Sequence, residues 1–172
     1  MGDLFLAIDA GGTAVKAAVF DANGQLVASR AVDVVTIHRD NGWVERDPEA
    51  FWRNTAIAIR ELTATVIDPA RVAAIACTGF GNGIFLVDEQ GNGTRDGILS
   101  VDHRAQSIVD EFHRDGTAAD MEAFSGHRIW GGQTIMQLIW LARNEPRVVE
   151  KTRWALACKD YIRMRLTGVA AS

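Results

Sequence analysis

Two apolar runs stand close together at the start of the chain, Leu4-Phe5-Leu6-Ala7-Ile8 and Ala14-Val15-Lys16-Ala17-Ala18-Val19-Phe20. Only Asp9-Ala10-Gly11-Gly12-Thr13 separates them. Two strand-length runs joined by so short and glycine-rich a link read as a hairpin with a polar tip. A second turn, Asp21-Ala22-Asn23-Gly24, leads into a third strand candidate from Gln25 to Val32. Asn-Gly is a strong hairpin signal, because both central residues can take positive φ. The opening of the chain therefore reads as an antiparallel meander.

Asp47-Pro48-Glu49 then carries the signals of a helix start: a capping carboxylate, a proline suited to the first turn, and an acid at the positive end of the dipole. Phe51, Ala58, Ile59, Leu62 and Val66 recur at helical spacing, and Asp68-Pro69 stops the run. Val72 to Cys77 is apolar throughout, which suits the buried centre of a sheet. A hairpin is expected after it, with Ile84–Asp88 and Gly97–Leu99 flanking Gln90-Gly91-Asn92-Gly93. Helical patterns return at 103–113 and 133–143, and a strand from Trp154 to Ala157 and a helix from Lys159 to Leu166 follow, with Gly168 placed to end that helix. Three meander strands, then helices alternating with strands, make an α/β chain with a mixed sheet. The chain stops directly after a helix, which reads as an incomplete domain.

Composition removes several function classes. Of 172 residues 48% are apolar and 23% charged, a balance that supports a packed core and excludes general disorder. The formal net charge of −4 argues against nucleic acid as the main partner. Cys77 and Cys158 form neither a disulfide framework nor a zinc-ligand spacing, which fits a reducing cytoplasm. Met1 to Leu6 lacks the basic and apolar regions of a signal peptide, and no run approaches the roughly 20 apolar residues that cross a bilayer. A cytoplasmic chain without membrane contact is expected.

Five segments could carry chemistry. In Asp9-Ala10-Gly11-Gly12-Thr13 with Lys16, the carboxylate could hold a hydrated Mg²⁺, the glycines admit a phosphate to backbone amides, and Thr13 and Lys16 add a donor and a cation. An ordinary hairpin turn uses the same residue types. Thr78-Gly79-Phe80-Gly81-Asn82-Gly83 is either a ligand loop or a flexible connection; its GxGxG spacing departs from the dinucleotide fingerprint GxGxxG. In Ser100-Val101-Asp102-His103-Arg104-Ala105, Asp102 either accepts substrate hydroxyls or caps a helix, and His103 reads as a solvated first-turn residue. Trp43, ahead of the first helix, reads as a hydrophobic anchor. Trp130, before Gly131-Gly132, either walls a sugar site or packs in the core.

In order and register these motifs resemble the amino-terminal domain of the FGGY carbohydrate kinases. The matching residues are Ile8 to Thr13 with Lys16, Gly42 to Pro48, Gly79 to Asp88, Ile98 to Ala105, and Lys159-Asp160-Tyr161 with Leu166-Thr167-Gly168. The resemblance covers nearly the whole chain. It implies a ribonuclease-H-like fold of the actin, hexokinase and heat-shock chaperone ATPase superfamily, with residues 1–172 belonging to the first of two domains around a cleft. It implies ATP-dependent, Mg²⁺-assisted phosphorylation of a hydroxyl on a small sugar or polyol. It assigns Asp9 to a Mg²⁺-bound water, Gly11, Gly12 and Thr13 to the phosphates, and Lys16 to the transferred phosphoryl group. Gly81, Asn82, Asp102 and Trp130 fall at substrate positions. The catalytic base of the family is an aspartate beyond residue 172, so Asp102 is not taken as the base and the 172-residue chain alone is expected to be inactive. The family also allows a homodimer of the full-length protein.

Within the family, glycerol kinases carry Arg-Glu and D-xylulose kinases Met-His where this chain has Gly81-Asn82. The segment Ile98-Leu99-Ser100-x-Asp102-x-Arg104-Ala105 is more similar to L-xylulose and erythritol-type kinases. Two readings from other classes are a non-catalytic sugar-binding module of the same fold and a dinucleotide-dependent oxidoreductase using residues 79–83.

Overall fold

The computed structural model describes residues 3–171; Met1, Gly2 and Ser172, part of the expected domain span, lie outside them. In chain order the strands and helices begin with β1 (Leu4–Ala10), β2 (Ala14–Asp21), β3 (Leu26–Asp33), β4 (Ile37–His38), β5 (Val44–Arg46) and α1 (Pro48–Thr65). A 3₁₀ turn at Pro69–Arg71 precedes β6 (Val72–Gly79), β7 (Phe85–Val87) and β8 (Gly97–Ile98). Then come α2 (Gln106–Asp115), α3 (Thr117–Ser125), α4 (Thr134–Asn144), α5 (Pro146–Lys151), β9 (Trp154–Leu156) and α6 (Cys158–Thr167). The chain divides into two compact units, one of Met1–Thr36, Pro48–Phe80 and Cys158–Ser172, the other of Ile37–Asp47 and Gly81–Ala157.

The first unit is a four-stranded mixed sheet in the order β3-β2-β1-β6. The predicted meander forms, and β6 adds to β1 in parallel. Alternation along β1 buries Leu4, Leu6, Ile8 and Ala10, and register sets Val19, Ala17 and Val15 of β2 on the same face. Helix α1 covers this face with Phe51, Thr55, Ala58 and Leu62, and α6 with Cys158, Tyr161 and Ile162. Each fully buried large side chain there contributes about 1.5–3 kcal/mol. The Tyr161 hydroxyl donates to the Pro48 carbonyl (3.0 Å), which sets the start of α1 against α6.

Three expectations change. The Asp21–Gln25 turn uses positive φ at Gly24 alone (76°), and Asn23 stays out of the left-handed region. The Asp21 carboxylate accepts the backbone N–H groups of Asn23 and Gln25, which closes the turn by another route, and a register shift at Val19/Phe20 absorbs the extra residue. Strand β6, predicted to be buried, instead forms the edge of the sheet, with Ile75 51% exposed. Among the described residues it pairs with β1 alone, and α6 reaches only part of it. Val66 lies past the end of α1 and is exposed, and Ile67 takes the buried place.

In the second unit, β4, β5 and β8 form a small antiparallel sheet, and β7 pairs with β9. The expected hairpin at 84–99 closes at its base, where Ile84 and Ile98 exchange backbone hydrogen bonds, and at its tip, where the Asp88 N–H donates to the Asn92 carbonyl. Its arms find other partners in between: β7 takes β9 and β8 takes β5. Two apolar clusters hold the unit, one of Ile84, Leu86, Ile98 and Leu141, the other of Ala105, Ile108, Val109, Ala118, Ile129 and Met136.

Gly79, at the end of β6, is a test of packing in the first unit. A Cβ there would sit 2.7 Å from Cys158 Sγ and 2.8 Å from the Ala10 carbonyl oxygen, and Cys158 itself hydrogen-bonds that oxygen (3.2 Å). Gly79→Ala is therefore expected to cost about 1–3 kcal/mol by overpacking. Urea denaturation reads the loss as a lower midpoint; an unchanged midpoint would show that Cys158 yields freely.

Candidate functional site

The first group of candidates lies on the β1–β2 turn. The Gly11 N–H donates to the Ala14 carbonyl (3.1 Å), and a Cβ on Gly11 would stand 2.6 Å from that oxygen, so the turn closes only with glycine. At Gly12 a Cβ would meet nothing within 4 Å, so the tip is open. The Val34 N–H donates to the Thr13 carbonyl (3.0 Å) and ties the turn to the chain after β3. Register sets Asp9 of β1 directly opposite Lys16 of β2, both exposed. Among the described residues neither side chain forms an ion pair. Thr78 of β6 stands level with Asp9 on its other side and is exposed too. Lys16, Asp9 and Thr78 thus make one polar row across three strands. Thr78 had read as part of a loop; its place became visible only once β6 extended to Gly79 in register with Ala10.

The second group lies in the second unit. Gly81 and Asn82 are exposed, and Asn82 (φ 59°) and Gly83 (φ 77°) are successive left-handed residues, a conformation that Asn tolerates better than most side chains. The Thr134 hydroxyl donates to the Gly83 carbonyl (3.0 Å), and Gln137 Nε2 donates to the Leu99 carbonyl (2.9 Å). Both donors sit on the first turn of α4, which therefore holds the 81–83 loop and the 99–100 segment together. Trp130, 39% exposed, precedes the same helix. Its N–H donates to Gln133 Oε1, and Gln133 Nε2 donates to the Arg128 carbonyl, so the loop closes on its own glutamine. Asn82, Ser100 and Trp130 are presented by segments fastened to one another.

Asp102 departs from its expected role. It is fully buried, and its two oxygens accept four hydrogen bonds: from the Val44 N–H (2.6 Å), the Arg104 N–H (2.8 Å), Arg104 Nε (2.9 Å) and Arg104 Nη2 (2.9 Å). These fill the lone-pair sites of a carboxylate. In this structure Asp102 builds the strand-to-helix junction and presents no free acceptor.

Around it lies a charge network that the sequence reading missed. Arg104 Nη2 also donates to Glu45 Oε1 (2.8 Å), Arg95 pairs with Glu45 and with Glu145, and Arg39 bridges Glu45 (2.8 Å) and Asp96 (3.0 Å). The Arg104 guanidinium carbon stands 4.1 Å from the Trp43 ring centre and 5.2 Å from that of Trp140, and the two rings meet edge to face. The only forward signal was an arginine and an acid beside a tryptophan at 43–46. Burial alone would raise the Glu45 carboxyl, but hydrogen bonds from Arg104 and Arg39 and the charge of Arg95 outweigh it and hold the group below its usual value. The same balance, burial opposed by Asp102 and Glu45, raises Arg104.

Among the described residues no cluster of three or more His, Cys, Asp or Glu is arranged to hold a metal, and no helix is long and apolar enough to cross a membrane. A single exposed carboxylate beside a hydroxyl is still a donor set that suits Mg²⁺, which keeps most of its waters.

The fold is of the actin- and hexokinase-like type found in sugar kinases. A gluconate kinase from Lactobacillus acidophilus superposes with a TM-score of 0.90 at 25% identity, over 99% of this chain and 34% of its own. A probable L-xylulose kinase from Pasteurella multocida (strain Pm70) is 32% identical over 95% of this chain and 34% of its own length. An erythritol kinase from Brucella abortus (strain 2308) is 32% identical over 99% of this chain and 33% of its own. The model of the FGGY family of carbohydrate kinases, N-terminal domain, matches residues 4–172, and the chain belongs to that family. It spans about a third of the length of the curated relatives it matches.

The Glu45 network has a pH signature. Because the folded carboxyl titrates below its usual 4.5, the stability it contributes is fully present above that pH and is lost as pH falls through the lower folded value. Glu45→Gln leaves buried guanidiniums short of an anion and is expected to cost about 3 kcal/mol or more at neutral pH. The difference from wild type should shrink on acidification. Thermal unfolding from pH 7 to pH 3 checks both, and a gap independent of pH would remove Glu45 from the network's energetics.

Proposed function

We propose that the whole protein is an ATP-dependent carbohydrate kinase that phosphorylates a hydroxyl of a small neutral sugar or polyol, with L-xylulose or an erythritol-type polyol favoured. The observation that carries this reading is the exposed, unpaired facing of Asp9 and Lys16 at a turn that only glycine closes, in a chain of a carbohydrate kinase family. A carboxylate and an ammonium set opposite each other and without an ion pair among the described residues suit a ligand that carries both a cation and anionic oxygens.

The residues present fit Mg²⁺ and a nucleotide tail. Asp9 would hold the hydrated ion through a water, and Gly11, Gly12 and Thr13 would face the β- and γ-phosphates. Bound Mg²⁺ supplies neutralisation of the phosphate charge. Lys16 steadies the transferred phosphoryl group, whose passage depends on positioning and charge more than on covalent chemistry. In the second unit Gly81 leaves space, Asn82 offers an amide to hydroxyls, and the Trp130 ring offers a face to sugar C–H groups. Asp102 acts through Arg104 and Val44, holding Ser100 and its neighbours in place. No residue of this chain is assigned the base, which the proposal places in an aspartate outside residues 1–172. The cytoplasmic setting and a homodimer belong to the same reading.

Two relatives support the substrate class, one named as a probable L-xylulose kinase and one as an erythritol kinase. The test is ADP release by the whole protein with L-xylulose, erythritol and glycerol. Asp9→Asn should lower kcat about 100-fold or more while leaving sugar binding by calorimetry unchanged, since the lost group acts on charge developing at phosphorus. Sugar binding indifferent to Mg-ATP, with no ADP release from wild type, would replace the kinase by a binding module. For the 172-residue chain alone no sugar-dependent ADP release is expected; robust turnover by it would contradict the placement of the base.

A further inference from the structure

Gly132 is the most crowded of the glycines described in the second unit. A Cβ on it would stand 1.8 Å from the Ser100 carbonyl oxygen, 2.1 Å from Trp130 Cζ3 and 2.6 Å from Trp130 Cη2. Real side chains essentially never approach so closely, so residue 132 must be glycine for the indole and the Ser100 carbonyl to hold their places. Its φ lies outside the left-handed region, so conformation does not demand glycine here; space does. Neighbouring contacts leave little room for relief. Gly131 abuts the start of α2, where a Cβ would be 3.1 Å from the Gln106 nitrogen. Gln137 fixes the Leu99 carbonyl and Thr134 the Gly83 carbonyl, both from the first turn of α4. The indole edge therefore lies against backbone, and Trp130 as a whole is still 39% exposed.

We propose that Gly132 is a positioning residue for sugar recognition: by lacking a side chain it lets the Trp130 ring and the Ser100 carbonyl close on the same point and so sets the width of the polyol site. The inference rests on the sugar-kinase reading and adds the determinant of fit at its aromatic wall. Asn82 and Ser100 supply neutral hydrogen-bonding groups on segments tied to the same helix, so a displaced ring would change the aromatic wall without changing the polar groups themselves. Any substituent at 132 must lift the ring, move the Ser100 carbonyl, or both.

A double-mutant cycle in the whole protein tests this, with L-xylulose and erythritol as the probes. Wild type is measured first: if neither sugar binds or is phosphorylated, the sugar-kinase reading fails before any variant is considered, and this inference with it. Given wild-type binding, Gly132→Ala and Trp130→Ala should each raise sugar KM about tenfold, the scale of one well-placed aromatic contact. The KM for ATP should change less than about twofold, a split that a general loss of structure would not produce. The double variant should be no worse than the weaker single variant, because both act through one ring. Multiplying effects, or a Gly132→Ala variant with wild-type sugar KM, would overturn the proposal while leaving the kinase reading intact. If Gly132→Ala does not fold, Trp130→Phe against Trp130→Leu decides: a flat ring over glycine should keep most of the affinity and a branched side chain lose it, and equal loss from both would overturn it.

Discussion

A carboxylate taken out of water must find cations and donors or lose its charge, and the second unit is organised by that demand at two positions. Asp102 and Glu45 are both buried, and both are answered by the guanidinium of Arg104, itself held between the rings of Trp43 and Trp140. The N–H of Val44 completes Asp102, so the start of β5 and the start of α2 are pinned to the same carboxylate. Arg39 and Arg95 then carry the network outward to Asp96 and Glu145. An ion pair of this kind adds little net stability compared with an apolar replacement, but it tolerates only one arrangement of its partners. That is its consequence here: the segment 99–105 is fixed in shape although it has almost no regular secondary structure.

Much of the first unit was legible in the residues. The β1–β2 hairpin, β3, the stripe of α1 and the glycine stop of α6 follow from local pattern, and the Gly168 N–H does donate to the Met164 carbonyl (2.7 Å). What was not legible depended on neighbours. Val72 to Cys77 has the composition of a strand buried on both faces, yet composition cannot say how many strands flank it, and β6 lies at an edge. The two-residue β4 and three-residue β5 are too short to show a period, and they exist because Glu45 and Arg46 pair with β8. Helix α3 buries only Ala118 fully, so it has no stripe to read; the left-handed Gly116 and Gly126 bracket it instead.

The candidate site divides the same way. Asp9, Thr13 and Lys16 lie on a turn whose geometry is local, so the sequence places them well. Asp102 could not be assigned from its neighbours, because three of its donors come from Arg104, two residues on, but the fourth comes from Val44, far away in sequence. A polar residue beside a helix start reads equally as a cap, a ligand or half of a buried ion pair, and only tertiary contacts separate the three.

The two groups of exposed residues also differ in charge, and that difference bears on which ligand each suits. The β1–β2 turn shows solvent a carboxylate and an ammonium that form no ion pair among the described residues. In the second unit the charges around the junction are consumed internally, and what its fastened segments offer outward at Asn82, Ser100 and Trp130 is an amide, a hydroxyl and an indole. An ionic ligand gains from the first surface, where it meets charges not already committed to a partner among the described residues. A neutral polyol gains from the second, where hydrogen-bonding groups are held in place in advance and little ordering entropy remains to be lost on binding. Charges left without an internal partner thus suit an ionic ligand, and neutral groups fastened in advance suit an uncharged one.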